Sequence, residues 1–185
     1  MTTSVNFAAF GIYLPKYNGS IFEVMSAPIS AYEIVIGYAG AAASKSILIS
    51  LLILLTSTIF VDFYIKHPLL MFFLLFVTSI TFSLFGFIVG IWATNFEKLQ
   101  LIPLIIITPL VFLGGSFYSI SMLPELWQFI TKFNPIFYII NGFRWSFFGT
   151  SDVDLFTSLI LIIVFLLTCL IIISLIFKTG YRIKG

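Results

Sequence analysis

The chain has 185 residues, of which 61% are hydrophobic and 9% charged, whereas an ordinary soluble domain is about 25% charged. So little charge cannot wet the surface of a packed soluble core, which excludes a soluble globular domain and points to a protein of the membrane. The net charge of +2 gives no basis for binding nucleic acid, and the single cysteine, Cys169, lies in an apolar run and excludes a disulfide within the chain.

The start, MTTSVNFAAFGIYLPKYNG, lacks the basic stretch and small-residue cleavage site of a secretory signal. Tyr13 to Ile34 is the first sizeable polar stretch, with Lys16, Asn18 and Glu23 mixed among Ile21, Phe22, Val24 and Met25. It predicts a short helix from Gly19 or Ser20 to about Ser26, lying along the membrane surface and stopped before Pro28. Taken alone, these residues also fit an idle interfacial connector.

Charge-free runs then mark the spans. Ile34 to Val61 is interrupted only by Lys45, and Ser46 to Val61 alone is slightly short, so Lys45 is expected to snorkel at one membrane face. Pro68 to Ala93, Leu99 to Pro124 and Leu155 to Phe177 each exceed the roughly 20 residues that cross about 30 Å of hydrocarbon. Four spans result, in an all-α membrane protein. Gly86 and Gly90 form a GxxxG pair, and Gly37, Ala39, Gly40, Ala41 and Ala43 form a small-residue patch. Such positions let helices approach closely, within one subunit or between two. Pro103 and Pro109 should bend the third span.

Lysine and arginine asymmetry sets the orientation. With both termini on one side, that side collects Lys16, Lys45, Lys98, Lys178, Arg182 and Lys184, against Lys66, Lys132 and Arg144 on the other. The expectation is both termini in the cytoplasm, with KTGYRIKG as the clearest anchor.

Between the third and fourth spans, residues 119–150 are too polar to cross and too apolar to be a solvated loop. Leu126, Phe129, Ile130 and Phe133 follow helical spacing, with Pro124 at the first turn and Glu125 at the positive end of the dipole. Asn134-Pro135 stops this helix and starts another, which places Ile136, Ile139, Ile140, Phe143 and Phe147 on one side, and Asn141 with Arg144 on another. At about ten residues, or 15 Å, each, neither helix can span. The expectation is a broken hairpin that re-enters the outer leaflet. Arg144 belongs at the interface or in a watery vestibule, paired with Glu125, Asp152 or Asp154, or anchored on lipid phosphate.

Chemistry is scarce. GAAASKS, Gly40 to Ser46, ends like a phosphate-binding loop, but Ser44 stands where glycine is needed and the setting is a membrane helix. One histidine, His67, and one cysteine make no metal site. No carboxylate lies mid-span to relay protons, and no nucleophile–base pair is visible. The chain is not expected to be an enzyme or to hold a cofactor.

Two stretches resemble the type 2 ATP-binding-cassette (ABC) permeases of bacteria. One is GSIFEVMSAPISAYEIVIGY, Gly19 to Tyr38; the other runs from PLVFLGGSFYSISMLPELWQF into NPIFYIINGFR, Pro109 to Arg144. The resemblance implies a single transmembrane domain over 1–185, with a coupling helix at 19–28 and an external re-entrant segment at 119–150. Gly19, Ser20, Phe22, Glu23, Ala27 and Pro28 would contact a separate ATPase. Gly114, Gly115, Phe117, Tyr118, Leu123, Pro124, Asn134, Pro135 and Arg144 would build an external gate. It further implies an exporter of glycan, lipid or drug-like amphiphile in the bacterial inner membrane, made of two permease copies and two ATPase copies, with ATP bound by the partner. A non-transporting membrane scaffold is the alternative, and an intramembrane enzyme a weaker third. Members of the family usually have six spans. Met1 to Tyr13 looks like the end of the second, which implies that the first span and most of the second are missing here.

Overall fold

A computed structural model describes residues 1–62 and 64–180, and the cationic tail residues Arg182 and Lys184 lie outside them. The described residues form α1 (Thr2–Asn18), α2 (Ile21–Ser26), α3 (Ala31–Phe60), α4 (Pro68–Trp92) and α5 (Phe96–Ile102). A π turn (Pro103–Ile107) joins α5 to α6 (Thr108–Leu113); a 3-10 turn (Ile120–Met122), α7 (Glu125–Lys132), α8 (Pro135–Phe148) and α9 (Leu155–Thr179) follow. Among the described residues, four helices are long and apolar enough to cross a membrane: α3, α4, the continuous α5–α6 unit, and α9. The fold is all-α, as composition and periodicity predict.

Helix α4 is the central post. It packs most extensively on α1 and also touches α3, α8 and α9. Its glycines explain the intimacy with α1: a Cβ on Gly86 would collide with the backbone of Val5, and one on Gly90 would lie 3.0 Å from Ala9 Cα. The GxxxG pair therefore serves packing within one chain. Because α1 lies beside α4 and runs in the same direction, Met1 starts partway along the bundle, packed against the cluster of Val5, Leu74 and Phe82. Lys16, near the end of α1, donates to the carbonyl of Ile91 at 2.6 Å and so caps the end of α4.

One boundary differs from that read in the sequence. The third span ends at Leu113 rather than Pro124. Gly115 adopts φ 81°, a left-handed conformation that stops the helix. Asn134 Nδ2 then donates to Leu110 O at 2.6 Å and Ser116 Oγ to Val111 O at 2.9 Å, partnering carbonyls the helix leaves free. In the same span the two prolines bracket a π turn, closed by Thr108 N–H donating to Pro103 O. Lys45 sits midway along α3 with Nζ 3.4 Å from the centre of the Phe7 ring on α1, a cation–π contact between the two helices.

Candidate functional site

Two regions, at opposite ends of the bundle, hold the residues singled out above. At one end, α1 closes on Gly19 in the left-handed region (φ 80°), and the chain turns at Ser20 into α2. Ile21 is buried against Ile12, Ile34, Phe87 and Ile91, which pins α2 to the bundle. Phe22 is 52% exposed, and Glu23 and Pro28 are exposed beside it. Ala27 leaves helical geometry (ψ 149°) while its N–H still bonds Glu23 O, and Ser30 with Glu33 forms a capping box that starts α3. The result is a one-and-a-half-turn helix held by one apolar face, presenting an aromatic ring and a carboxylate outward. The Glu33 carboxylate accepts from both the Ser30 backbone N–H and its hydroxyl.

At the other end, residues 114–154 form a connected cap. Asn134 starts α8 by accepting Ile136 N–H at 2.9 Å. Pro124 is the N-cap of α7 rather than its first helical residue, since its carbonyl receives Trp127 N–H and Gln128 N–H. Ile136, Phe137 and Ile139 are buried, which seats α8 on α4 and α9. By contrast, the stripe on α7 faces outward: Leu126 is 67% and Phe133 74% exposed. Gly114 lies so close to α8 that a Cβ would approach Ile140 Cδ1 to 2.8 Å.

Arg144 ties this cap together. Its guanidinium donates to Gly115 O at 2.6 Å, to Tyr118 O at 3.2 Å and to Asp152 Oδ2 at 2.8 Å. Of the three acids the sequence offers, geometry selects Asp152. That carboxylate also accepts Ser119 Oγ at 2.5 Å and Ile120 N–H at 3.1 Å. Buried Asn141 accepts the Asp152 N–H at 2.9 Å and fixes the turn after α8. Gly115, Tyr118, Asn134, Pro135 and Arg144 are therefore brought into one unit with Gly114, whereas Phe117 is 76% exposed at its edge. The roles of Ser119 and Asn141 were not legible in the sequence, because single short polar side chains carry no spacing signal.

Burial raises the Asp152 carboxyl, but the Ser119 and Ile120 hydrogen bonds and the Arg144 charge outweigh it and leave the pKa below the ordinary 3.8. A depressed native pKa contributes stability that is complete above the unfolded value and lost as pH falls through the native one. The Ser116–Leu123 loop is therefore expected to stay protease-resistant down to about pH 4 and to loosen below it. Limited proteolysis by an acid-active protease would show the step, and Asp152→Asn should abolish it. An unchanged step in that variant would remove Asp152 as its source.

The family model for the ABC-2 type transporter matches residues 1–148. The inner membrane transport permease YadH of Escherichia coli (strain K12) is 36% identical over 151 residues, covering 82% of this chain and 59% of its own length. The proteins of the same name from Escherichia coli O157:H7 and Shigella flexneri match to the same extent. The chain thus spans less than two thirds of the length of these curated relatives. No solved structure matches. With most of its length in the family model and more than a third of the aligned residues identical to a curated permease, the chain belongs to the ABC-2 type transporter family.

Proposed function

We propose that the chain is the membrane permease part of an ABC exporter of the bacterial inner membrane, working as two copies with two copies of a separate ATPase. The single observation that carries this reading is α2: a helix pinned by Ile21 yet presenting Phe22 and Glu23 outward. Gly19, Ser20, Ala27 and Pro28 shape the turns on either side of it, and the ATPase would receive the whole 19–28 segment in a cleft. ATP binds to that partner and not to this chain. The α2 end and Gly180 face the cytoplasm, and the 119–150 cap faces outward with the apolar stripe of α7 resting on lipid. ATPase closure would push α2, tilt the spans attached to it and open the cap, releasing a glycan, lipid or drug-like amphiphile.

Glu23→Arg reverses the exposed charge without touching the buried Ile21 anchor. It is expected to weaken ATPase association by roughly 2 kcal/mol, about thirtyfold, while membrane yield stays at the wild-type level. Co-purification of the ATPase with tagged permease measures this. Undiminished capture by the variant would count against α2 as the coupling element.

A further inference from the structure

We infer that Phe87 on α4 is a positioning residue for coupling: its ring takes up movement of α2, and α4 carries that movement to the cap. The inference rests on the permease reading above and names the route by which α2 acts. The chain joins α2 only to α1 and α3, so its hold on the rest of the bundle runs through side chains. Ile21 supplies that hold, sharing one apolar cluster with Phe87 of α4 and Ile173 of α9. Phe87 is fully buried where these helices meet. Its ring centre lies 6.4 Å from that of Tyr38 on α3 and 6.3 Å from that of Phe177 on α9, the second pair nearly parallel at 19°. With Ile12 of α1 in the same cluster, the helices α1, α2, α3, α4 and α9 all meet around this ring.

A contact passes movement on only where it has no slack. Ile12, Ile21, Met25, Ile34, Phe87 and Phe177 leave a gap of about 10 Å³ between them, no more than a single water needs. An interior packed this tightly has low compressibility and transmits displacement. Lys16 borders the same gap and holds the end of α4 through Ile91 O. The end of α4 is therefore tied to α1 as well as seated against α2.

The other end of α4 is joined to the cap. α4 is an unbroken helix from Pro68 to Trp92 with its one proline at the first position, so it shifts as a rod. About 30 Å from Phe87, at 1.5 Å per residue, the rod is stitched to α8. Lys66 N–H donates to Phe147 O at 3.2 Å and His67 N–H to Ser146 O at 2.9 Å. The His67 imidazole stacks on Trp145 with ring centres 4.4 Å apart, next in sequence to the Arg144 that organises the cap. A Cβ on Gly142 would come within 3.3 Å of Leu74, so α8 lies directly on α4. One rod with a packed joint at each end thus links α2 to the cap.

The test uses the permease with its ATPase in lipid nanodiscs and reads maleimide labelling of Thr131→Cys. Thr131 on α7 is buried, and its hydroxyl has no hydrogen-bond partner among the described residues, so the substitution breaks no bond and places a shielded thiol in the cap. Cys169 is buried, and the protein without Thr131→Cys sets its background. A cap open a few per cent of the time at rest, and mostly open with ATP and vanadate, gives a rise in labelling of about tenfold. Phe87→Leu is expected to capture the ATPase as the unsubstituted protein does and to cut the rise to about twofold. Leu84→Ala removes volume from the same cluster but not from the gap, and should lower the unfolding midpoint while keeping the full rise. A full rise in Phe87→Leu, an equal loss in Leu84→Ala, or loss of ATPase capture in Phe87→Leu would each overturn the relay. If Phe87→Leu fails to insert, Ile21→Val trims the other side of the joint by one methylene and should cut the rise about twofold; an unchanged rise there overturns the relay as well. The two readings fail separately. Capture and a tenfold rise that survive Phe87→Leu remove the relay alone, whereas no capture or no rise with Phe87 in place removes the transport reading and the relay with it.

Discussion

Arg144→Ala is expected to detach the segment after α6 from α8 and to destabilise the cap by about 3 kcal/mol. Two backbone carbonyls, at Gly115 and Tyr118, lose the Arg144 donor at once, and the Asp152 carboxylate keeps Ser119 and Ile120 but loses its counter-charge. Hydrogen bonds to a charged group contribute about 1.5–3 kcal/mol each, and they share one side chain, so the sum is less than three full terms. The ion pair is mostly shielded, with side-chain exposures of 23% and 17%, so solvent screening removes only part of its value. Arg144→Lys should recover little, because a single ammonium cannot bridge carbonyls on one side and a carboxylate on the other. Thermal unfolding in mild detergent, with maleimide labelling of Ser119→Cys, reads both effects. A variant as stable as wild type, with Ser119→Cys equally shielded, would rule out Arg144 as the organiser of the cap.

Gly90→Leu should damage the bundle at least as severely. Overpacking a core with movable side chains costs typically 1–3 kcal/mol. Here the obstacle is backbone, with Ala9 O 2.5 Å and Ala9 Cα 3.0 Å from the new Cβ, so relief requires α1 to move as a rod. The expected cost is above about 3 kcal/mol, with loss of the Lys16 contact to α4. Gly37→Leu is the control: no heavy atom lies within 4 Å of its Cβ, and leucine is the better helix former by nearly 1 kcal/mol. Unfolding midpoints that fall equally in both variants would mean that helix content, rather than the α1–α4 contact, governs stability.

The sequence carried the spans because hydropathy needs no partners. Runs without charge have to be long and helical in lipid, and α4 and α9 match theirs closely. The short helices were legible from punctuation: Gly19 and Pro28 around α2, and Asn134-Pro135 between α7 and α8. What failed was whatever depends on a distant residue. Ser116 to Pro124 carries no charge, so a charge-based boundary ran on past Gly114-Gly115, where Asn134 closes the third span from twenty residues further along. The Phe7 ring over Lys45 was not legible either, because it sits on another helix. Three acids lay within reach of Arg144 in sequence, and only the turn fixed by Asn141 chooses Asp152.

The π turn at Pro103–Ile107 bears on how this helix tolerates changes in length. A π turn is an α-helix carrying one residue more than its ladder needs. Deleting a residue elsewhere in a span rotates everything beyond it by about 100° and exchanges buried for lipid-facing side chains. Deleting one of Leu104, Ile105 or Ile106 would instead absorb the bulge, with Pro103 and Thr108 drawn into the ordinary four-residue spacing. That shorter helix would press the ring of Pro109 onto the carbonyl four positions back, at a cost of about 3 kcal/mol. The surplus residue and the proline are therefore one inheritable unit, and relatives one residue shorter here should lack the proline as well.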